Sequence, residues 1–81
     1  MSTRYDAFTA RLTQEYRELF ATDPAYAYSA AHTTPETLAV KMTAELLRGG
    51  ANKDGIGIKR TCAGLAIPYT YKGIRAYLGG S

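Results

Sequence analysis

The sequence predicts an all-α fold, and three observations support this prediction. In several segments apolar residues recur at spacings of three and four, which places them on one face of a helix. Residues that begin and end helices, among them threonine, aspartate, proline and glycine, separate these segments. Alternating, β-branched segments of strand length are absent from the sequence. We therefore expect a small orthogonal helical bundle of four main helices plus one short helix.

The first two helices are predicted from their caps and their apolar residues. The first begins after Ser2 or Thr3 and ends at about Ala21, and one stripe of it faces the core: Tyr5, Phe8, Leu12, Tyr16, Leu19 and Phe20. Asp23 followed by Pro24 predicts the cap and the first residue of a short helix through "PAYAYSAA". The two tyrosines of this short helix are two positions apart, so we expect one in the core and the other exposed.

The segment "TTPETLAVKMTAELLRGG" predicts the third helix, residues 35–48. Its cap is either Thr33, with Glu36 completing a capping box, or Thr34 followed by Pro35, and two glycines end it. Apolar residues cover most of its circumference: Leu38, Ala39, Val40, Met42, Ala44, Leu46 and Leu47. We therefore expect this helix at the centre of the bundle, packed on two sides.

The C-terminal part predicts two further helices. The fourth runs from a cap at Asp54 to about Ala66. Pro68 prevents Ile67 from continuing this helix and is expected to begin the last one, after a break of only two or three residues. Together the two helices are expected to direct six apolar residues towards the core: Ile58, Cys62, Leu65, Tyr71, Ile74 and Leu78.

Several features of this corner point to a known motif. Cys62 is a small residue within the fourth helix, "LAI" stands at the turn, and apolar residues anchor the last helix. Residues 54–78 thereby resemble the helix-turn-helix of DNA-binding proteins, although Ala66 stands where that family often has a turn glycine. In that family the second helix lies in the major groove and the first crosses the backbone.

Charge is distributed unevenly along the chain. Residues 1–40 carry three arginines against five carboxylates, whereas residues 41–81 carry seven lysines and arginines against two carboxylates. The net charge of +3 therefore conceals a basic C-terminal half, which suits a polyanionic partner. With the helix-turn-helix resemblance, this predicts binding to double-stranded DNA. Five residues are the candidate contacts, the first two to phosphates and the others towards the bases: Lys59, Arg60, Tyr69, Lys72 and Arg75.

A second hypothesis stays open, in which the same corner belongs to a protein interaction module or a dimerising accessory protein. Gly73 and Ala76 would then accept a neighbouring helix, and the positive charge of Arg75 would be favoured near a helix C-terminus. A chain of 81 residues has a thin core and gains from burying further apolar surface. We therefore expect self-association, as a homodimer.

The composition and the short motifs bear on the location of the protein and on the kinds of site it can hold. We expect a single domain, residues 1–81, in the cytoplasm, because one cysteine cannot form an intrachain disulfide and no apolar run suits a signal peptide or a membrane span. His32 is the only histidine and Cys62 the only cysteine, so neither residue type supplies a pair of zinc ligands. "GGANKDGIGIKR" lacks both the lysine of a phosphate-binding loop and the third glycine of a dinucleotide fingerprint. We expect no enzyme activity, cofactor or metal, a buried Cys62 and a surface or capping role for His32.

Overall fold

Helix α1, Arg4–Thr22, is the element on which the other helices pack in the computed structural model, which describes residues 3–50 and 55–79. A 3₁₀ turn, Pro24–Tyr26, leads into the short helix α2, Ala27–His32. Three further helices follow: α3, Pro35–Arg48, α4, Ile56–Leu65, and α5, Tyr71–Leu78. The described residues contain no strand, which confirms the all-α prediction.

Side-chain caps begin three of the helices. Thr3 Oγ1 accepts a hydrogen bond from the Asp6 N–H at 3.0 Å, and Thr34 Oγ1 accepts one from the Thr37 N–H at 3.1 Å. Thr70 Oγ1 accepts one from the Gly73 N–H at 2.9 Å. These bonds satisfy backbone donors that have no partner inside the helix. Of the two predicted caps of α3, the structure has Thr34.

The central helix is α1, so the prediction that residues 35–48 occupy the centre is wrong. α1 packs against both α3 and α4, and it buries four large side chains in the core: Phe8, Leu12, Tyr16 and Leu19. On α3, by contrast, Val40 is 56% exposed and Leu47 41% exposed. A helical wheel shows how apolar each face is, but not how many neighbours surround it. The apolar arc of α3 is therefore wider than its contact with the core.

The end of α4 is defined by a left-handed residue. Ala66 has φ 56°, the one positive φ of a non-glycine residue within the described ranges. The Ile67 N–H donates to the Cys62 carbonyl at 2.9 Å, and the Ala66 N–H donates to the Ala63 carbonyl at 3.4 Å. This pair of bonds is the Schellman arrangement that commonly ends helices, usually with glycine in the left-handed position.

The connection from α4 to α5 is longer than predicted. It comprises residues 66–70, and Pro68 lies within it rather than beginning α5. α5 begins after Thr70, whose hydroxyl caps it. Ile74 and Leu78 are buried as predicted, whereas Tyr71 is 37% exposed and does not belong to the core. The predicted cap of α4, Asp54, lies outside the described residues, and Gly55 stands at the N-cap position.

Candidate nucleic-acid interface

Of the five candidate residues, four are exposed. Lys59 and Arg60 lie on the outer side of α4, and Lys72 and Arg75 lie on the outer side of α5. Tyr69 is different, because it is half-buried and packs against the hydrophobic core from the connection between these helices. The structure therefore separates Tyr69 from the helical face on which the sequence placed it.

Arg60 points back towards α1. Its Nη1 lies 3.9 Å from Glu18 Oε1, and both side chains are substantially exposed. On the same side of α1, Arg11 Nε donates to Glu15 Oε2 at 2.8 Å, and its guanidinium covers Gly64 of α4. Each of these arginines therefore has a carboxylate beside it that offsets its charge.

Arg75 points in another direction, towards the C-terminal end of α3. A Cβ built on Gly49 would lie 3.1 Å from Arg75 Nη1, so the guanidinium rests on the glycine that ends α3. Gly49 has φ 82° and tolerates the left-handed conformation because it has no side chain. Arg48, the last residue of α3, is exposed immediately before it. Two guanidinium-bearing residues thus lie at this end of the bundle.

The N-terminal end of α1 meets α5 at the same place. The Arg4 guanidinium carbon lies 5.6 Å from the centroid of the Tyr77 ring, a cation–π arrangement. Arg4 is near the start of α1, and Gly49, against which Arg75 rests, is at the end of α3. These two contacts place α5 where α1 begins and α3 ends. We call the four exposed cations of this region the α5-end cations: Arg4, Arg48, Lys72 and Arg75.

The contacts of Arg60 and Arg75 thus direct them to different parts of the bundle. Arg60 is beside Glu18, whereas α5 is beside Arg4. At a rise of 1.5 Å per residue, Arg4 and Glu18 are about 21 Å apart along the axis of α1. The five candidates therefore do not form one cluster. Arg4 and Arg48 were missed by sequence analysis because they are distant in sequence from α5 and carry no local motif.

The corner formed by α4 and α5 shares one feature with a helix-turn-helix and differs in two. Ala66 occupies the left-handed position that a turn glycine takes in that family. The connection, however, has five residues where the motif has three or four. In addition, α5 packs mainly on α1 and α3 rather than on α4.

Gly73 has a local role at the start of α5. A Cβ built on it would lie 2.8 Å from the Pro68 carbonyl oxygen and 2.9 Å from Pro68 Cβ. One is a backbone oxygen and the other a carbon of the rigid proline ring, and neither can move aside easily. The absence of a side chain at Gly73 is therefore required by the connection that precedes the helix.

Four other residues have environments that bear on chemistry. Cys62 is buried, as predicted. His32 is exposed, its ring stacks on that of Tyr28, and its Nδ1 lies 2.8 Å from the Tyr28 carbonyl oxygen. The two tyrosines predicted in one short helix lie in two elements, Tyr26 in the 3₁₀ turn and Tyr28 on α2. Tyr26 packs against the core and Tyr28 is 75% exposed, as expected.

Burial raises the pKa of Tyr16 well above its usual value, and the neighbouring Tyr26 adds to this effect. Within residues 3–50 and 55–79, no group of three or more acidic, histidine or cysteine side chains is arranged to hold a metal ion. None of the helices that the structure describes combines the length and the apolar character needed to cross a membrane.

Comparison with known proteins gives no relative. No protein-family model matches the chain, and no curated protein and no solved structure matches it either.

Proposed function

We propose that this protein binds double-stranded DNA, with the exposed face of α5 and the α5-end cations against the phosphate backbone. The observation that supports this most is that α5 lies beside Arg4 of α1 and carries Arg75, which rests on Gly49 next to Arg48 of α3. Lys72 adds a fourth exposed cation on α5 itself. Lysine and arginine side chains that neutralise phosphates release condensed counterions, and this release drives non-specific DNA binding.

The proposed mode is a helix-turn-helix-like corner in an orthogonal bundle, in which α5 approaches a groove. Ala66 ends α4 in the left-handed conformation, so the chain turns sharply before α5. Lys72 and Arg75 are the candidates for contacts to phosphates or guanine edges. Tyr69 is half-buried, so its role is to support the start of α5 rather than to read bases. Arg60 pairs with Glu18 and is left outside the proposed surface, together with its neighbour Lys59.

Titration of a labelled DNA duplex at several salt concentrations tests this proposal. We expect dissociation constants of about 1 to 100 µM near physiological salt and tighter binding at low salt. Lys72→Gln and Arg75→Gln should each reduce the slope of log affinity against log salt by about 0.9, the value of one phosphate contact. No binding at about 50 mM salt and 100 µM protein, conditions that favour even non-specific binders, would refute DNA binding.

A matched control is available within the chain. Arg60→Gln removes the same charge as Arg75→Gln, from a position beside Glu18. If the proposed surface is correct, Arg75→Gln should change the salt slope and Arg60→Gln should leave it unchanged. An equal or larger effect at Arg60 would refute the location and favour the surface of α4 instead.

The second role that the sequence leaves open, association with another protein chain, is favoured by a separate observation. Val40 and Leu47 are large apolar side chains, and the fold leaves both exposed on α3.

A further inference from the structure

The exposed apolar residues of α3 form a regular stripe. Thr37, Val40, Ala44 and Leu47 follow one another at spacings of three, four and three residues. This is the spacing of the a and d positions in a coiled coil, which line the seam between two helices. Val40 and Leu47 are 56% and 41% exposed, Thr37 is exposed and Ala44 is half-buried. We call these four residues the α3 stripe.

Opposite charges flank the first half of the stripe. In this pattern Thr37 is an a position and Val40 is a d position. Glu36 precedes Thr37 and is therefore a g position, and Lys41 follows Val40 and is therefore an e position. Glu36, Thr37, Val40 and Lys41 line a shallow depression of about 390 Å³. The surface therefore has an apolar centre, room to receive a side chain, and one charge of each sign at its edges.

We infer that the α3 stripe is a self-association surface, on which α3 of a second copy of this chain lies parallel to the first. In a parallel pair, each g residue lies beside the e residue five positions later on the other helix. Glu36 then faces Lys41 of the partner subunit, and the two-fold axis repeats this contact on the other side. An antiparallel pair with the two stripes aligned would instead bring Lys41 close to Lys41 of the partner subunit. This complementarity identifies the occupant as a second copy in parallel orientation.

The existing contacts of α3 are compatible with this arrangement. Glu36 Oε1 accepts a hydrogen bond from Arg17, and both side chains remain more than half exposed. The second carboxylate oxygen can therefore accept from a lysine of the partner subunit. The other side of α3, with Ala39, Thr43 and Leu46, stays in the core of its own subunit.

The size of the stripe sets the expected strength. From Thr37 to Leu47 it extends for about 15 Å along the helix axis. A contact of this length falls at the small end of the size range of specific interfaces, where complexes are weak and transient. We therefore expect the dimer to have a dissociation constant between about 10 and 500 µM. Such a dimer is much weaker than a nanomolar complex.

Sedimentation equilibrium of the full chain across that concentration range tests the inference. The wild type should show a concentration-dependent average mass above the 8.8 kDa of the monomer. Val40→Asp places a charge at the centre of the stripe and should weaken association at least about tenfold. Tyr28→Ser is the matched control, because Tyr28 is also an exposed large apolar residue but lies on α2. Circular dichroism should show unchanged helix content in both variants.

Charge reversal tests the orientation. Glu36→Lys and Lys41→Glu should each weaken self-association several-fold, because both contacts become repulsive, and the double variant should restore it. An equimolar mixture of the two single variants should associate again. A wild type that remains monomeric up to about 1 mM overturns the inference, as does a Val40→Asp variant that dimerises normally. Single reversals without effect would overturn the parallel orientation.

Discussion

Replacement of Ala66 by glycine should stabilise the protein, although glycine usually destabilises a helical protein. This expectation comes from comparing the C-terminal ends of α3 and α4. α3 and α4 both end in the Schellman arrangement, and the left-handed position is Gly49 in α3, φ 82°, but Ala66 in α4, φ 56°. An alanine in this conformation brings its Cβ close to the following carbonyl oxygen, at a cost of about 1 to 2 kcal/mol.

The expected magnitude follows from two opposing effects. Ala66→Gly removes the steric cost, but glycine gives the unfolded chain additional entropy, worth about 0.5 to 1 kcal/mol. The difference is a net gain of about 0.5 to 1 kcal/mol in the free energy of unfolding. For a domain of this size, this gain corresponds to a rise in Tm of about 3 to 6 °C.

Ala63→Gly is the matched control. Ala63 is exposed and lies three residues earlier, inside α4, where glycine is less favourable than alanine by about 1 kcal/mol. Thermal and urea unfolding of both variants, followed by circular dichroism, should therefore show shifts of opposite sign. If Ala66→Gly destabilises the protein as much as Ala63→Gly does, Ala66 is not left-handed and the described end of α4 is wrong.

Two further predictions concern buried groups. Because burial raises the pKa of Tyr16 above its unfolded value near 10, Tyr16 contributes stability that is fully present below about pH 10 and lost as the pH rises. The unfolding free energy of the wild type should thus fall more steeply than that of Tyr16→Phe above this pH; parallel curves from urea unfolding would contradict this. Cys62 is 1% exposed, so a thiol reagent should label it at least about a hundredfold more slowly in the native protein than in urea, and equal rates would show that the thiol is accessible.

Local features of the fold could be predicted from the sequence because neighbouring residues determine them. Thr3 and Thr34 cap helices through hydrogen bonds to backbone groups three residues away. The start and end of α3 agree with the prediction, since Pro35 and Gly49 fix the backbone at these positions. Cys62 is buried as expected, because it lies on the apolar face of α4.

Features that depend on more distant parts of the chain could not be predicted in this way. Pro68 looked like the start of α5, but Thr70 caps the helix and sets its first residue. The central position of α1 depends on which helices surround it, and the apolar arc of α3 gave no information about that. The convergence of Arg4 and Arg75 on one end of the bundle requires three helices to be in place, so no local pattern indicates it.

DNA binding by the α5-end cations and parallel pairing through the α3 stripe together predict an effect that neither proposal predicts alone. A parallel pair of α3 helices places both C-terminal ends on the same side of the dimer, and each end carries Arg48 with Arg75 against Gly49. The α5-end cations of both subunits would therefore face one DNA duplex together, whereas an antiparallel pair would direct them to opposite ends. Up to twice as many phosphates would be neutralised, and the salt slope of DNA binding would steepen in proportion. Val40→Asp, although it removes no positive charge, would then reduce that slope towards the value of a single subunit.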